Sequence, residues 1–227
     1  GAVCLAPMVR VGTLPMRLLA AKYGADLCYS EEMIDRRLMA CRRQENPERG
    51  TVDFIDKKGH PCFRTAEGER ARVVAQIGTA EAGNALRAAS VVARDVAAVD
   101  INMGCPMHFS VSGGMGAALL QKPETIRDIL TTLRRNLPVP VTCKIRLLEA
   151  PHKTLDLVRM IEGCGVAAIG VHGRRREQRP REPASWEGIR QAVAAVSVPV
   201  LANGDVFRPA DVARVRAETG AAGVLVA

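Results

Sequence analysis

Short runs of β-branched and aliphatic residues alternate along the chain with longer stretches in which apolar residues return at helical spacing. Runs of this kind suit strands covered on both faces, and the stretches between them suit helices laid over those strands. The pattern therefore predicts successive βα units around a parallel sheet. The predicted strands are Val3 to Ala6, Asp26 to Ser30, Val73 to Ile77, Val99 to Asn102, Val139 to Ile145, Ala168 to Val171, Val198 to Ala202 and Gly223 to Val226. Helices are predicted near 13–23, 80–93, 124–136, 153–164, 185–196 and 208–218, several opening at Thr, Ser or Pro, which suit a first helical turn. Eight strands with helices between them close naturally as a (β/α)8 TIM barrel, although alternation alone also permits a doubly wound open sheet. The chain stops inside the apolar run Ala221 to Ala227, so the expectation is a barrel truncated after its eighth strand, with an unpaired seam.

The segment from 41 to 66 breaks this rhythm with Arg42, Arg43, Pro47, Gly50, Gly59 and Pro61, and reads as an insertion carrying a hairpin of Thr51 to Ile55 with Cys62 to Thr65. The 227-residue chain, 48% hydrophobic, suits one domain, residues 1–227. No apolar run approaches the roughly 18 residues that span a bilayer. The seven cysteines are scattered and never spaced as Cys-x-x-Cys, which predicts free thiols in a reducing, cytoplasmic setting. His60, His108, His152 and His172 form no ligand pair, so no metal is expected. A formal charge of +8 favours a polyanionic partner.

In a TIM barrel the chemistry gathers where strands end, at the C-terminal face. Here the strand ends read Ala6-Pro7-Met8, Gln76-Ile77-Gly78, Asn102-Met103-Gly104-Cys105-Pro106, Lys144-Ile145-Arg146, His172-Gly173-Arg174 and Asn203-Gly204-Asp205. Any one of these has a bland explanation as a strand cap or a turn, but together they would converge on one polar mouth. In order and spacing these segments, with Asp100 to Pro106, Gly113 to Leu120 and Val171 to Arg174, resemble the tRNA-dihydrouridine synthases, flavin enzymes that reduce uridine in tRNA. The similarity is greatest to the eukaryotic cytosolic branch acting on the D loop, where Glu31-Glu32 followed by Ile34-Asp35 also fits. It departs at Met107 and Ser112, where Lys is expected, and at Asp205, where Gly is common.

The resemblance implies FMN as cofactor, NADPH as its reductant and tRNA as substrate, with the family's phosphate loop and helical RNA-binding domain lying beyond Ala227. It places the flavin on Pro7 and Met8, with Gln76 and Lys144 at its polar edge, His172 touching flavin or uracil, and Asn203 and Gly204 toward its ribityl or phosphate. Asn102 would hold the uracil edge or the flavin beneath it. Reduction of the pyrimidine 5,6 double bond needs a hydride and a proton, and no side chain donates hydride. Cys105, between Gly104 and Pro106 and ahead of a glycine-rich loop, is the expected proton donor, whereas Cys143 and Cys164 read as buried structural thiols. Arg146 is expected to contact the substrate, and the arginine loop, Arg174, Arg175, Arg176, Arg179 and Arg181, to meet RNA phosphates. Two rivals stay open: a flavin barrel acting on free pyrimidines, and a non-catalytic RNA-binding barrel.

Overall fold

In the computed structural model, which describes residues 1–227, the chain opens with β1 (Ala2–Leu5), α1 (Leu14–Lys22), β2 (Leu27–Tyr29), β3 (Met33–Ile34) and α2 (Asp35–Met39). Three strands follow, β4 (Arg42–Asn46), β5 (Thr51–Ile55) and β6 (Pro61–Ala66). The alternation then becomes regular: β7 (Val73–Gly78), α3 (Ala82–Val92), β8 (Ala98–Met103), α4 (His108–Val111), α5 (Pro123–Asn136), β9 (Val141–Leu147) and α6 (Pro151–Gly163). It ends with β10 (Ala168–Arg175), α7 (Trp186–Ala195), β11 (Val200–Asn203), α8 (Pro209–Thr219) and β12 (Gly223–Val226).

Each predicted strand is present and all eight are parallel, in a ring that runs β1, β2, β7, β8, β9, β10, β11, β12 and back to β1. The sheet is therefore closed, which removes the open-sheet alternative. The expected unpaired seam is also corrected: β12 pairs with β11 on one side and with β1 on the other, Val224 standing opposite Val3. No helix is long and apolar enough to cross a membrane.

The apolar residues sort into two layers because successive strand residues face opposite sides of the sheet. Residues such as Val99, Ile101, Ile145, Ile169 and Val171 face outward and pack beneath the helices in one large core. Helix α5 shows how a sequence earns its place there: Pro123 opens it, and Ile126, Ile129, Leu130 and Leu133 form one buried stripe at helical spacing. A smaller cluster, including Cys4, Tyr29, Val74, Ala98, Leu201 and Leu225, fills the lower interior of the barrel.

The second βα unit departs from the rule. Strand β2 pairs with β7 through Tyr29 and Val74, and β3 resumes the pairing at Met33 and Ile77, so four steps on one strand answer three on the other. Ser30 fills the gap, its Oγ accepting the Gln76 amide at 2.9 Å in place of a backbone carbonyl. This is a β-bulge beside the mouth. The predicted hairpin of the insertion is present as β5 and β6, joined by β4 into an antiparallel sheet. The buried Arg17 of α1 pins that sheet to the barrel: Nε and Nη2 donate to the Glu69 carboxylate at 2.9 and 2.7 Å, Nη2 to Arg64 O and Nη1 to Gly12 O, each at 2.7 Å.

Candidate active site

The inward-facing residues turn polar above the apolar plug, and the strand register places them side by side. Gln76 stands opposite Asp100 and Asp100 opposite Thr142; Asn102 stands opposite Lys144; His172 stands between Arg146 and Asn203. Gln76, Asn102, Lys144, Arg146, His172 and Asn203 surround a cavity of about 230 Å³ at the C-terminal ends of the strands, bordered also by Ala6, Pro7, Glu32 and Cys105. The convergence expected from the strand ends is therefore present.

A chain of hydrogen bonds fixes the wall nearest Cys105. Thr142 Oγ1 donates to Asp100 Oδ1 at 2.6 Å, Gln76 Nε2 to Asp100 Oδ2 at 2.8 Å, and Asn102 Nδ2 to Gln76 Oε1 at 3.1 Å. Asn102 Oδ1 in turn accepts the backbone N–H groups of Gly104 and Cys105 at 3.0 and 2.9 Å. Asn102 thus shapes the turn that presents the thiol, and its amide keeps one N–H for a ligand. Burial raises the Asp100 carboxyl to about 6, against the pull of Thr142, Gln76 and Lys144. The glycine-rich stretch after Cys105 is folded, as α4 and a 3-10 turn over Gly116–Gln121, and the Ala117 N–H donates to Cys105 O at 2.9 Å.

The cations of the mouth differ in what they hold. Lys144 is half-buried and its ammonium makes no hydrogen bond to the protein; burial and the Arg146 charge bring it down to about 8. Arg146 donates to Gly104 O at 2.8 Å and to Arg175 O at 2.9 Å, bracing the Cys105 turn against β10 while leaving Nη2 for a ligand. His172 is held neutral: burial first, then Lys144, Arg146 and Arg174, bring it down to about 2. Its Nε2 lies 3.3 Å from Arg174 Nη1 and must accept there, since a guanidinium only donates. Burial lifts the Cys105 thiol to about 11, with the Met107 N–H opposing and the Glu32 charge reinforcing the rise.

Three of the expected residues lie away from the cavity. Arg174 is 6% exposed and is held by an ion pair with Asp205, by Glu182 O at 2.6 Å and by Pro180 O at 3.0 Å. It lies where the β9–β10 register shifts between His172 and Arg175, and its guanidinium turns toward the 180–182 loop and Asp205 rather than outward. Met8 does not face the mouth either; its side chain packs with Leu5, Ala25 and Cys28 against α1. Gly204 lies behind the cavity, where a Cβ would stand 2.7 Å from Ala184 Cβ, and its φ of +121° suits glycine. Arg175 and Arg176 are exposed on the rim, outside the cavity. Asn203 lines the cavity and donates Nδ2 to Leu225 O at 2.9 Å.

Two features escaped the sequence reading. Asp205 has a left-handed φ of +57°, a region that favours glycine, and its carboxylate binds Arg174 and the Ala184 N–H. Glu32, turned inward by the bulge, stands at the cavity beside Cys105.

A closed parallel barrel with a thiol, a buried carboxyl and an unpartnered ammonium at the C-terminal mouth defines the class: TIM barrels whose site lies at the strand ends. The sequence profile of the dihydrouridine synthase (Dus) family matches residues 4–227, and the chain belongs to that family. It is 42% identical to the tRNA-dihydrouridine(20) synthase [NAD(P)+] of Schizosaccharomyces pombe, across 99% of this chain and 49% of that protein. It is 40% identical to the enzyme of the same name from Saccharomyces cerevisiae, across 91% of this chain and 57% of that protein. The chain thus spans about half the length of these relatives. The fold resembles a crystal structure of DHODH from Eimeria tenella in complex with ferulenol, with a TM-score of 0.66 and 14% identity over all of this chain and 75% of that one.

Proposed function

We propose that this chain is the flavin-binding catalytic barrel of a cytoplasmic tRNA-dihydrouridine synthase, which reduces a uridine in the D loop of tRNA using FMN and NADPH. Family membership and the names of the two yeast relatives support the reaction. The observation that carries it is the pairing, in one cavity, of a protonated thiol at Cys105 with an unpartnered ammonium at Lys144.

The mouth fits a flavin by the chemistry of its donors. An ammonium without a protein acceptor, beside spare amide N–H groups on Gln76 and Asn102, suits an acceptor-rich ring that gains negative charge. Lys144, Gln76 and Asn203 would hold the polar edge of FMN, with Pro7 and Ala6 against its ring. When bound, FMN supplies the hydride that no side chain can, and NADPH restores it.

The residues of the chain supply the rest. Cys105 Sγ keeps its proton across neutral pH and delivers it to the uracil carbon next to the one that accepts hydride. The thiolate left behind meets the Met107 N–H and the charges of Lys144 and Arg146. A stacked uridine cannot reach this depth, so the base is turned out of its stack, and the exposed Arg175 and Arg176 suit the flanking phosphates.

Single-turnover reoxidation of reduced flavin by tRNA, followed by absorbance without oxygen, tests the assignment in the full-length protein. Cys105→Ala should keep the flavin and its reduction by NADPH, yet slow reoxidation by about 10²–10⁴-fold. Cys143→Ala, buried in β9, serves as the control. A Cys105→Ala rate within about threefold of the parent removes the thiol from the mechanism. Turnover of free uracil with none on tRNA would favour the free-pyrimidine rival, and tRNA binding without flavin absorbance the non-catalytic one.

A further inference from the structure

Glu32 takes no part in the reduction so far described, although it lines the cavity. The bulge between β2 and β3 directs its side chain into the mouth, where it is only 8% exposed. Its Oε1 accepts the Ser110 hydroxyl at 2.9 Å, but Oε2 is buried with no donor. A buried carboxylate oxygen without a donor is expensive, whereas a carboxyl carrying its own proton there is not. The space it occupies depends on two glycines. A Cβ at Gly78 would stand 2.3 Å from Glu32 Oε1. One at Gly116, whose φ is +55°, would stand 2.4 Å from Ser110 Oγ and 3.1 Å from Cys105 Cβ.

The Cys105 thiol adjoins this carboxyl closely enough to act as a donor toward it, which lowers the carboxyl and raises the thiol. Burial raises the Glu32 carboxyl, against the pull of Ser110 and Cys105. The thiol is faced by Lys144 and Arg146 from β9, which favour the thiolate, and by the Met107 N–H and Ser110 from its own loop. Glu32 is the one acid among these neighbours.

We propose that Glu32 carries a proton on Oε2 and hands it to the Cys105 thiolate, so that carboxyl and thiol form a two-station relay that restores the proton donor after each reduction. The proposal rests on Cys105 being that donor. In the step the Oε2–H bond breaks and the S–H bond forms, with no change of oxidation state. The carboxylate keeps the Ser110 hydroxyl on Oε1 and takes its next proton from water at the mouth.

The test titrates the thiol itself in the full-length protein. The rate of Cys105 alkylation by iodoacetamide, read by mass on the Cys105 peptide, is followed against pH in the parent, Glu32→Gln and Glu32→Asp. At the high pH where the thiol titrates the Glu32 carboxyl has given up its proton, so removing its charge should lower the Glu32→Gln midpoint by about one pH unit, while Glu32→Asp stays near the parent. Steady-state turnover on tRNA should fall about tenfold or more in Glu32→Gln and recover in part with added imidazolium. An unmoved midpoint in Glu32→Gln overturns the proposal, and so does a lowered midpoint with parental turnover. If Glu32→Gln does not fold, the infrared spectrum of the parent decides. A buried carboxylic-acid band at neutral pH that shifts on alkylation of Cys105 supports the relay, and its absence overturns it. Failure of the underlying reading shows separately, as parental reoxidation in Cys105→Ala.

Discussion

Replacing Arg174 with Met separates two roles that the sequence leaves entangled. The guanidinium is buried, and its removal strips Asp205 of its cation while leaving that carboxylate only the Ala184 N–H. It also frees Glu182 O and Pro180 O, so the segment from Arg176 to Ser185 loses its internal anchor. Breaking a buried pair from one side costs about 3–5 kcal/mol, and the partial exposure of Asp205 favours the low end, about 3 kcal/mol. In a chain of this length each kcal/mol moves the melting temperature by about 2–4 °C, so Arg174→Met should melt about 6–12 °C lower. Arg176→Ala, at an exposed position, should melt within about 2 °C of the parent. The salt dependence of tRNA binding should sort the pair the other way: Arg176→Ala loses about one unit of slope, and folded Arg174→Met keeps the parental slope. Thermal melts and binding titrations over a salt series measure both. An Arg174→Met protein that melts with the parent and has lost a unit of slope would refute the brace and return Arg174 to the RNA.

Two further outcomes follow from buried charge. His172 has a folded-state pKa far below its unfolded value of about 6.5, so the unfolded chain binds a proton that the folded chain refuses. Stability is therefore full above that unfolded value and drops as pH falls below it; Asp100, raised to about 6, works in the opposite direction. Urea unfolding of the parent relative to His172→Asn isolates the first effect, which should reach about 1 kcal/mol between about pH 7.5 and 5.5; a pH-independent difference sinks it. Glu69→Gln leaves the buried Arg17 guanidinium without its counter-charge and should cost about 3 kcal/mol, with faster hydrogen exchange across residues 42–66. The exposed Glu45→Gln should change neither, and slow exchange in Glu69→Gln would show that the sheet is held by other contacts.

The strands were legible because a barrel strand is covered on both faces and announces itself as an apolar run. Strand β4 was not, since Arg42 to Asn46 is polar throughout and becomes a strand only by pairing with β5. Strand β3 was hidden by the bulge at Ser30, whose pairing depends on Gln76, 46 residues away. The site was legible as a set of strand ends, but not residue by residue. Arg174 was grouped with its arginine neighbours, because the register shift after His172 that turns it toward Asp205 leaves no mark in the sequence. The packing of Met8 with Leu5, Ala25 and Cys28 was not legible either, because a strand end says nothing about which way the next side chain turns. Asp205 gave no local sign of its pairing, which comes from a strand away. Glu32 gave none of its isolation, because an unpartnered oxygen is a property of the packed structure.

The pairing of β12 with β1 also governs the order in which the mouth can form. It joins residues that lie at opposite ends of the chain, Ala2 with Gly223 and Leu5 with Val226. Closing so long a loop costs only about 1 kcal/mol more than closing one of 50 residues, but such distant contacts give nothing back until everything between them is in place. Pro7 leaves the ring from β1, Asn203 is tied to Leu225 O, and Ala6 N donates to Val226 O at 2.7 Å. One side of the cavity is therefore built on the last strands to meet. An intermediate with β7 to β10 already packed would hold Cys105, Lys144 and His172 in register and still lack a closed pocket. Competence for ligand then reports completion of the fold, and should appear in the slowest refolding phase rather than with the first burst of helix.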